Sequence, residues 1–212
     1  MKRLLCTSLA VLLFAGCSSN PPASQERPAD TGAAKPAANA NHADNGRAAF
    51  QRMYVAARGW ARDAMPVGLE SQATKDFPGK DGTSGVWRGT FGSASRQGMK
   101  PFVWSGVTSD DAPAPGINPG SEDSFNPNNV STRPFDFGFL KIDSDQAYKV
   151  ALEHGGKEFV SKNKDATTRY TLRFDGRNSR LEWIVNMESA SAKARPITIV
   201  VDATTGKFLK KG

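Results

Sequence analysis

WIVNMESASAKARP, residues Trp183–Pro196, has an upstream counterpart in WRGTFGSASRQGMKP, residues Trp87–Pro101. Each carries tryptophan, five intervening residues, Ser-Ala-Ser, and then a basic residue directly before proline. Around the upstream copy, Trp87, Gly89 and Phe91 alternate with Arg88 and Thr90, and Phe102 and Trp104 alternate with Val103 and Ser105. Period-two alternation predicts two strands, with Ser-Ala-Ser and Arg-Gln-Gly in the hairpin between them. Around the downstream copy, Leu181, Trp183, Val185 and Met187 predict one strand, and Ile197, Ile199 and Val201 the next. Superposing the tryptophans lays Gly89 on Val185 and Phe91 on Met187; one extra residue in the first hairpin then puts Phe102 on Ile197 and Trp104 on Ile199. The echo reads as two copies of one small unit, able to share one sheet or core.

Each set of strands follows a helical pattern. Phe50, Tyr54, Ala57, Ala61 and Ala64 recur at three- to four-residue spacing among arginines, with Asp44 or Asn45 as cap and Pro66 beyond the end. Trp60 extends that stripe into the core. Pro66 to Ser71 reads as a strand, and TKDFPGKDGTSG after it as a loop. In the second copy Asp143 or Ser144 caps a helix carrying Ala147, Val150, Ala151 and His154, with Gly155-Gly156 as its stop. Tyr170, Leu172 and Phe174 make a strand turned by Asp175-Gly176, and DATTGK turns the last strand into a short Phe208-Leu209 edge. Helix then antiparallel strands, twice, predicts an α+β fold in which each helix covers one sheet face and leaves the other free. Trp87 and Trp183 are assigned to cores, where one buried tryptophan contributes about 3 kcal/mol or more.

The chain opens MKRLLCTSLAVLLFAGC, a basic leader, an apolar run and Ala15-Gly16 before Cys17. This is an export-signal pattern, too short to span a membrane as a helix of roughly 20 residues. The pair before Cys17 resembles a bacterial lipobox, with Phe14 where leucine is usual. That resemblance implies a signal peptide at residues 1–16 and lipid attachment at Cys17; the alternative is ordinary cleavage with Cys17 a spare thiol. Acylation at several positions gives the stable anchoring that one chain does not. Cys6 and Cys17 are the only cysteines, so a mature exported domain has no disulfide and depends on its core. Net charge is +7, from 28 Lys and Arg against 21 Asp and Glu, and +5 once Lys2 and Arg3 are removed. This moderately basic balance favours anionic surfaces or acidic polypeptides, and export argues against nucleic acid.

Residues 17–45 are rich in Ala, Pro, Asn and Ser and lack aromatic or branched aliphatic side chains, the composition of a disordered linker. Such a coil spans roughly 30 Å. His42, within it, receives no role. The organisation expected beyond it is a unit at 46–108, a long connecting loop at 109–140 and a unit at 141–212.

SDQAYKVALEHGG, then an alternating strand, EWIVNM and ITIVVDATTGKFL resemble a PepSY-like domain of exported bacterial proteins over Ile142–Lys211. The first copy is related through the repeat alone and has Ser-Gly-Val-Thr-Ser-Asp in place of the Asp-Ala-x-Thr-Gly turn. The family resemblance implies noncatalytic, regulatory or inhibitory binding to envelope proteins, and the tandem arrangement is similar to the related fold of β-lactamase inhibitory proteins. Ser18, after the lipidated cysteine, is not the inner-membrane retention aspartate, which implies the outer membrane facing the periplasm.

Catalytic chemistry finds no motif. His154 at a helix end suits the negative end of the dipole, no His or Cys group has zinc spacing, and there is no Gly-x-Ser-x-Gly or phosphate loop. The reading is therefore not an enzyme, with no cofactor and no metal. Asp110, Asp111, Glu122 and Asp123 would attract Ca²⁺, but their spacing fits no calcium loop. Within the long loop, Phe125, Phe135, Phe137 and nearby Phe139 either pin it to the core or form an aromatic contact surface covering part of the free sheet face. By alternation the outward set comprises Arg88, Thr90, Val103, Ser105, Arg173, Ile184, Asn186, Thr198 and Val200, a mixture that suits a protein interface. The function expected is a membrane-tethered binding module; the alternatives are an envelope-organising protein that holds anionic glycan or lipid, or a small-ligand carrier.

Overall fold

Helix α1 (Gly46–Trp60) starts where Asn45 accepts the Ala48 amide at 3.0 Å, filling one of the donors a helix start leaves open. Asn45, rather than Asp44, is the cap. The computed structural model describes residues 41–191 and 193–212; residues 1–40, with the signal, Cys17 and most of the linker, lie outside the described residues. The linker expectation is too long at its end. Asp44–Asn45 form strand β1, paired with β3 (Thr83–Ser84), and the His42 amide donates to the Gly106 carbonyl at 2.9 Å. His42 also sets its ring edge against Trp104, an apolar anchor that composition alone does not reveal.

The remaining strands form one antiparallel sheet. They are β2 (Met65–Gln72), β4 (Val86–Ser93), β5 (Gly98–Ser105), β6 (Gly116–Pro119), the two-residue β7 (Asp123–Ser124), β8 (Thr167–Asp175), β9 (Arg180–Glu188), β10 (Ile197–Asp202) and β11 (Phe208–Lys211). Their order is β11-β10-β9-β8-β2-β4-β5-β6, with β7 also on β5. From the central β2–β8 pair, where Leu69 faces Leu172, each half steps outward through strands taken in chain order. The architecture is α+β, with both helical segments packed on the sheet.

The two tryptophans meet at the centre. Their rings lie edge to face at 6.4 Å, fully buried. Trp87 Nε1–H donates to the Asp44 carbonyl at 2.9 Å, and Trp183 Nε1–H to the Ile142 carbonyl at 2.8 Å, each acceptor lying just before a helix. Burial leaves each indole's one donor satisfied. Gly46 has to be small here: a Cβ would sit 2.7 Å from Trp183 Cη2 and 3.2 Å from Trp87 Cη2. The two helix starts are joined as well, the Gly46 amide donating to Ser144 Oγ at 2.7 Å and the Arg47 amide to Asp143 at 2.9 Å.

The second helical segment restarts after its expected stop. Helix α2 (Ser144–Ala151) begins with a capping box between Asp143 and Gln146. Gly155-Gly156 stops it as expected: His154 and Gly155, the latter at φ 112°, leave helical geometry, and a second helix, α3 (Lys157–Lys162), restarts directly afterwards. Glycine permits that φ, and the restart buries Phe159. His154 lies at the kink just past the end of α2, its ring stacked 3.8 Å from Phe208.

The hairpin register also corrects the superposition. Trp87 pairs with Trp104 and Gly89 with Phe102, whereas Trp183 pairs with Val201 and Val185 with Ile199. Phe102 therefore corresponds to Ile199 and Trp104 to Val201, and the second hairpin is the longer one. Ser-Ala-Ser closes both hairpins against a distant aspartate. Asp63 accepts from the Ser93 hydroxyl (2.7 Å), the Ser95 amide (2.8 Å) and the Ser95 hydroxyl (2.9 Å). Asp165 accepts from the Ser189 hydroxyl (2.9 Å) and the Ala190 amide (2.8 Å). Turn closure accounts for these serines.

Candidate functional site

Strand alternation puts the helices' partners on one face and the nine candidate residues on the other. Trp87, Phe91, Phe102, Trp104, Leu172, Trp183 and Val185 share a core cluster with Phe50, Met53, Ala147 and Ala151 of the helices; none of the nine belongs to it. A continuous row crosses the outer face. From β11 to β8 it runs Lys210, Val200, Ile184, Thr171, and from β2 to β6 it continues Glu70, Arg88, Val103, Asn118. Thr90 and Arg173 flank that row, both paired with Gly68. Asn186 and Thr198 form a cross-strand pair, the threonine hydroxyl donating at 2.7 Å.

Seven of these residues are accessible in some degree, with Arg88 and Arg173 the most exposed. Two are not available to a partner. Ser105 is 1 % exposed because its hydroxyl and Val107 bond each other across a tight turn. Val200 is 3 % exposed, flanked in register by Ile184 and Lys210.

Glu182 was not singled out by its place in the pattern, since outward charged residues in strands are ordinarily solvated. It is only 5 % exposed, facing Arg173 in register, and Arg180 approaches its carboxylate at 4.0 Å. Desolvation first, and the Asp175 charge second, push its carboxyl above the usual range. It lines a cleft of about 430 Å³ with Arg173, Arg177 and Lys210 at the end of the face.

The long loop divides its phenylalanines. Phe125 is buried against Gly92, on the Arg88–Thr90 side of β4, so it covers one end of the outer face. Phe135 is buried beside Phe50, and Phe137 stacks on Tyr54, pinning the loop to α1. Phe139 is 52 % exposed. The four acidic loop residues do not converge. Asp111 accepts from Ser109, Glu122 from Trp60 Nε1 at 3.0 Å, and Asp123 pairs with Met99 in the β5–β7 ladder. Among the described residues no three His, Cys, Asp or Glu groups are placed to hold a metal, and no helix is long and apolar enough to cross a membrane.

The Asp-Ala-x-Thr-Gly turn is built for closure. Asp202 accepts the Thr204 and Thr205 amides at 2.9 and 2.8 Å, Gly206 takes φ 76°, and Ala203 is buried with its carbonyl accepting from Ile142. No protein-family description, no curated protein and no solved structure shows a significant match to this chain.

Proposed function

We propose that this chain is a noncatalytic lipoprotein of the bacterial envelope, lipidated at Cys17 and held by a linker at the periplasmic face of the outer membrane. Its folded part comprises two tandem PepSY-like units related by duplication, and its outer sheet face docks an envelope protein in a regulatory or inhibitory role. Duplication is supported by the paired indole-to-carbonyl bonds and by the two aspartate-closed Ser-Ala-Ser hairpins, and lipidation by the lipobox pattern before Cys17. One observation carries the docking role: a broad sheet face bears accessible Arg, Thr, Ile, Val and Asn side chains outside the core cluster that takes in both helices. Such a mixture of apolar and hydrogen-bonding groups matches the make-up of protein interfaces.

The test is capture from native envelopes by the lipidated chain and by Arg88→Gln/Arg173→Gln. Both arginines are exposed, and neutral glutamine sets no like charge against Glu70 or Glu182, which face them in register, so the double substitution leaves stability within about 1 kcal/mol. Partner capture is expected to fall at least about fivefold, as for charges in an interface rim and core. Equal capture by both forms, with equal melting temperature, would remove the outer face as the docking surface.

A further inference from the structure

The net positive charge is concentrated in one half. Residues 41–140 hold ten Lys and Arg against ten Asp and Glu, whereas residues 141–212 hold fourteen against nine. Part of that excess surrounds a cleft of about 340 Å³ between α3, the segment before β10 and the end of β11. Lys162, Lys193, Arg195 and Lys211 line it, while Phe159 and Ile197 give it an apolar component. Lys162 is paired with Glu158 at 2.6 Å. Among the described residues, Lys193, Arg195 and Lys211 have no carboxylate within ion-pair distance.

A second feature adjoins the cleft. Strand β11 ends the sheet, and its outer edge has no strand partner among the described residues. Thr198 and Gly212 exchange both backbone bonds across the β10–β11 pair, at 3.1 and 2.9 Å. In an antiparallel ladder the neighbouring residue, Lys211, therefore turns its amide and carbonyl outward. The same residue lines the cleft.

We infer that this edge and cleft bind an extended acidic segment of a partner protein, added as a strand beside β11 with carboxylates directed to Lys193, Arg195 and Lys211. A backbone fits where a lipid headgroup does not, because an unpaired strand edge is completed by the alternating donors and acceptors of another strand. A second copy of the chain is disfavoured, since antiparallel pairing of β11 with itself would bring Lys210 and Lys211 against like charges. The site lies apart from Arg88 and Arg173 and does not depend on their role.

The probe is a fluorescent ten-residue peptide of alternating Glu and Val, titrated into the full chain and followed by anisotropy. Lys193→Glu/Arg195→Glu is expected to weaken binding at least about fivefold, from the loss and reversal of two charges. Arg58→Glu/Arg62→Glu, the same change of net charge on and just beyond α1, is expected to change it less than about twofold. Lys211→Pro removes the outward amide and is expected to bind more weakly than Lys211→Gln, with melting temperatures showing that both remain folded. Equal weakening by the two double variants would reduce the binding to overall charge and overturn the site. Equal affinity of Lys211→Pro and Lys211→Gln would overturn strand addition. Absence of peptide binding alongside cleft-dependent binding to phosphatidylglycerol vesicles would assign the cleft to a lipid surface instead.

Discussion

The two halves of the sheet reach the same backbone with different side chains. In the first, Phe50 of α1 lies over Phe91, and Gly89 leaves the space a Cβ would take, about 3.1 Å from the Phe50 ring. Phe102, Trp104 and the incoming Phe135 complete an aromatic cluster. In the second half the corresponding strand positions are Val185, Met187, Ile199 and Val201, all buried, beneath a helical segment broken by a kink. What the halves share is at the shared centre and at the hairpin ends: tryptophans bonded to the chain entering each helix, and aspartates closing Ser-Ala-Ser. Between these points packing is free to differ, since a core tolerates exchanged shapes when total volume is kept.

The tryptophans should give the largest effect. Trp87→Ala and Trp183→Ala each remove a fully buried indole and leave a helix-entry carbonyl without its donor, and each is expected to cost about 4 kcal/mol in chemical denaturation. Because the rings touch, the double variant should fall short of the sum by at least about 0.5 kcal/mol. Strict additivity would show that the two indoles support separate cores, which would break the comparison at its centre.

Exchange at the next strand position should be smaller and asymmetric. Gly89→Val places a branched side chain against Phe50 and Met53, whose sulfur already lies 3.2 Å from the Gly89 amide. Overpacking of this kind costs about 1–3 kcal/mol. Val185→Ala, in the half without that aromatic lid, is expected to cost about 1–2 kcal/mol by cavity formation. If Gly89→Val proved neutral by urea melts, the aromatic half would be loosely packed and the contrast between halves would vanish.

The strand phases were legible in the sequence because one-sided burial imposes a period of two, and Trp87, Phe91, Trp183 and Met187 all obey it. The hairpin register was not. A slip of two residues keeps every side chain on its face, so Phe102 can be laid on Ile197 or on Ile199 with alternation equally satisfied, and backbone pairing alone decides. Gly155-Gly156 ends α2 as local preference predicts, while the restart at Lys157, which buries Phe159, has no side-chain cap to announce it. On the candidate face, alternation found the side but not the depth: Ser105, Val200 and Glu182 are buried by neighbours that sequence spacing does not specify. The aspartate closures did leave a signal, for Asp63-Ala64 and Asp165-Ala166 repeat ahead of β2 and β8 just as Ser-Ala-Ser repeats at the ends of β4 and β9. Ala64 and Ala166 are both buried, so the pair fixes each chain reversal from the inside as its aspartate closes it from the outside.

Those aspartates give the smallest effect and the most direct test of likeness between the halves. Hydrogen bonds from Ser93 and then Ser95 hold the Asp63 carboxyl well below the ordinary carboxylate range, and bonds from Ser189 and then the Ala190 amide lower Asp165 in the same direction. A carboxyl whose folded value lies below its unfolded value of about 3.9 adds stability that is complete above that value and is lost as pH falls toward the folded one. Between about pH 4 and pH 2 the unfolded chain binds more protons at these sites, so stability falls with falling pH. Asp63→Asn and Asp165→Asn should each lower the melting temperature at pH 7 and flatten its decline in that acid window. Asp63→Asn should do both more strongly, because its lowering is the larger. Asp63 is half-buried and Asp165 exposed, and high salt leaves such short hydrogen bonds largely in place while screening longer-range charge. The flattening should therefore persist in 0.5 M sodium chloride; its disappearance there would trace the acid response to general charge repulsion and leave the two closures without an energetic role.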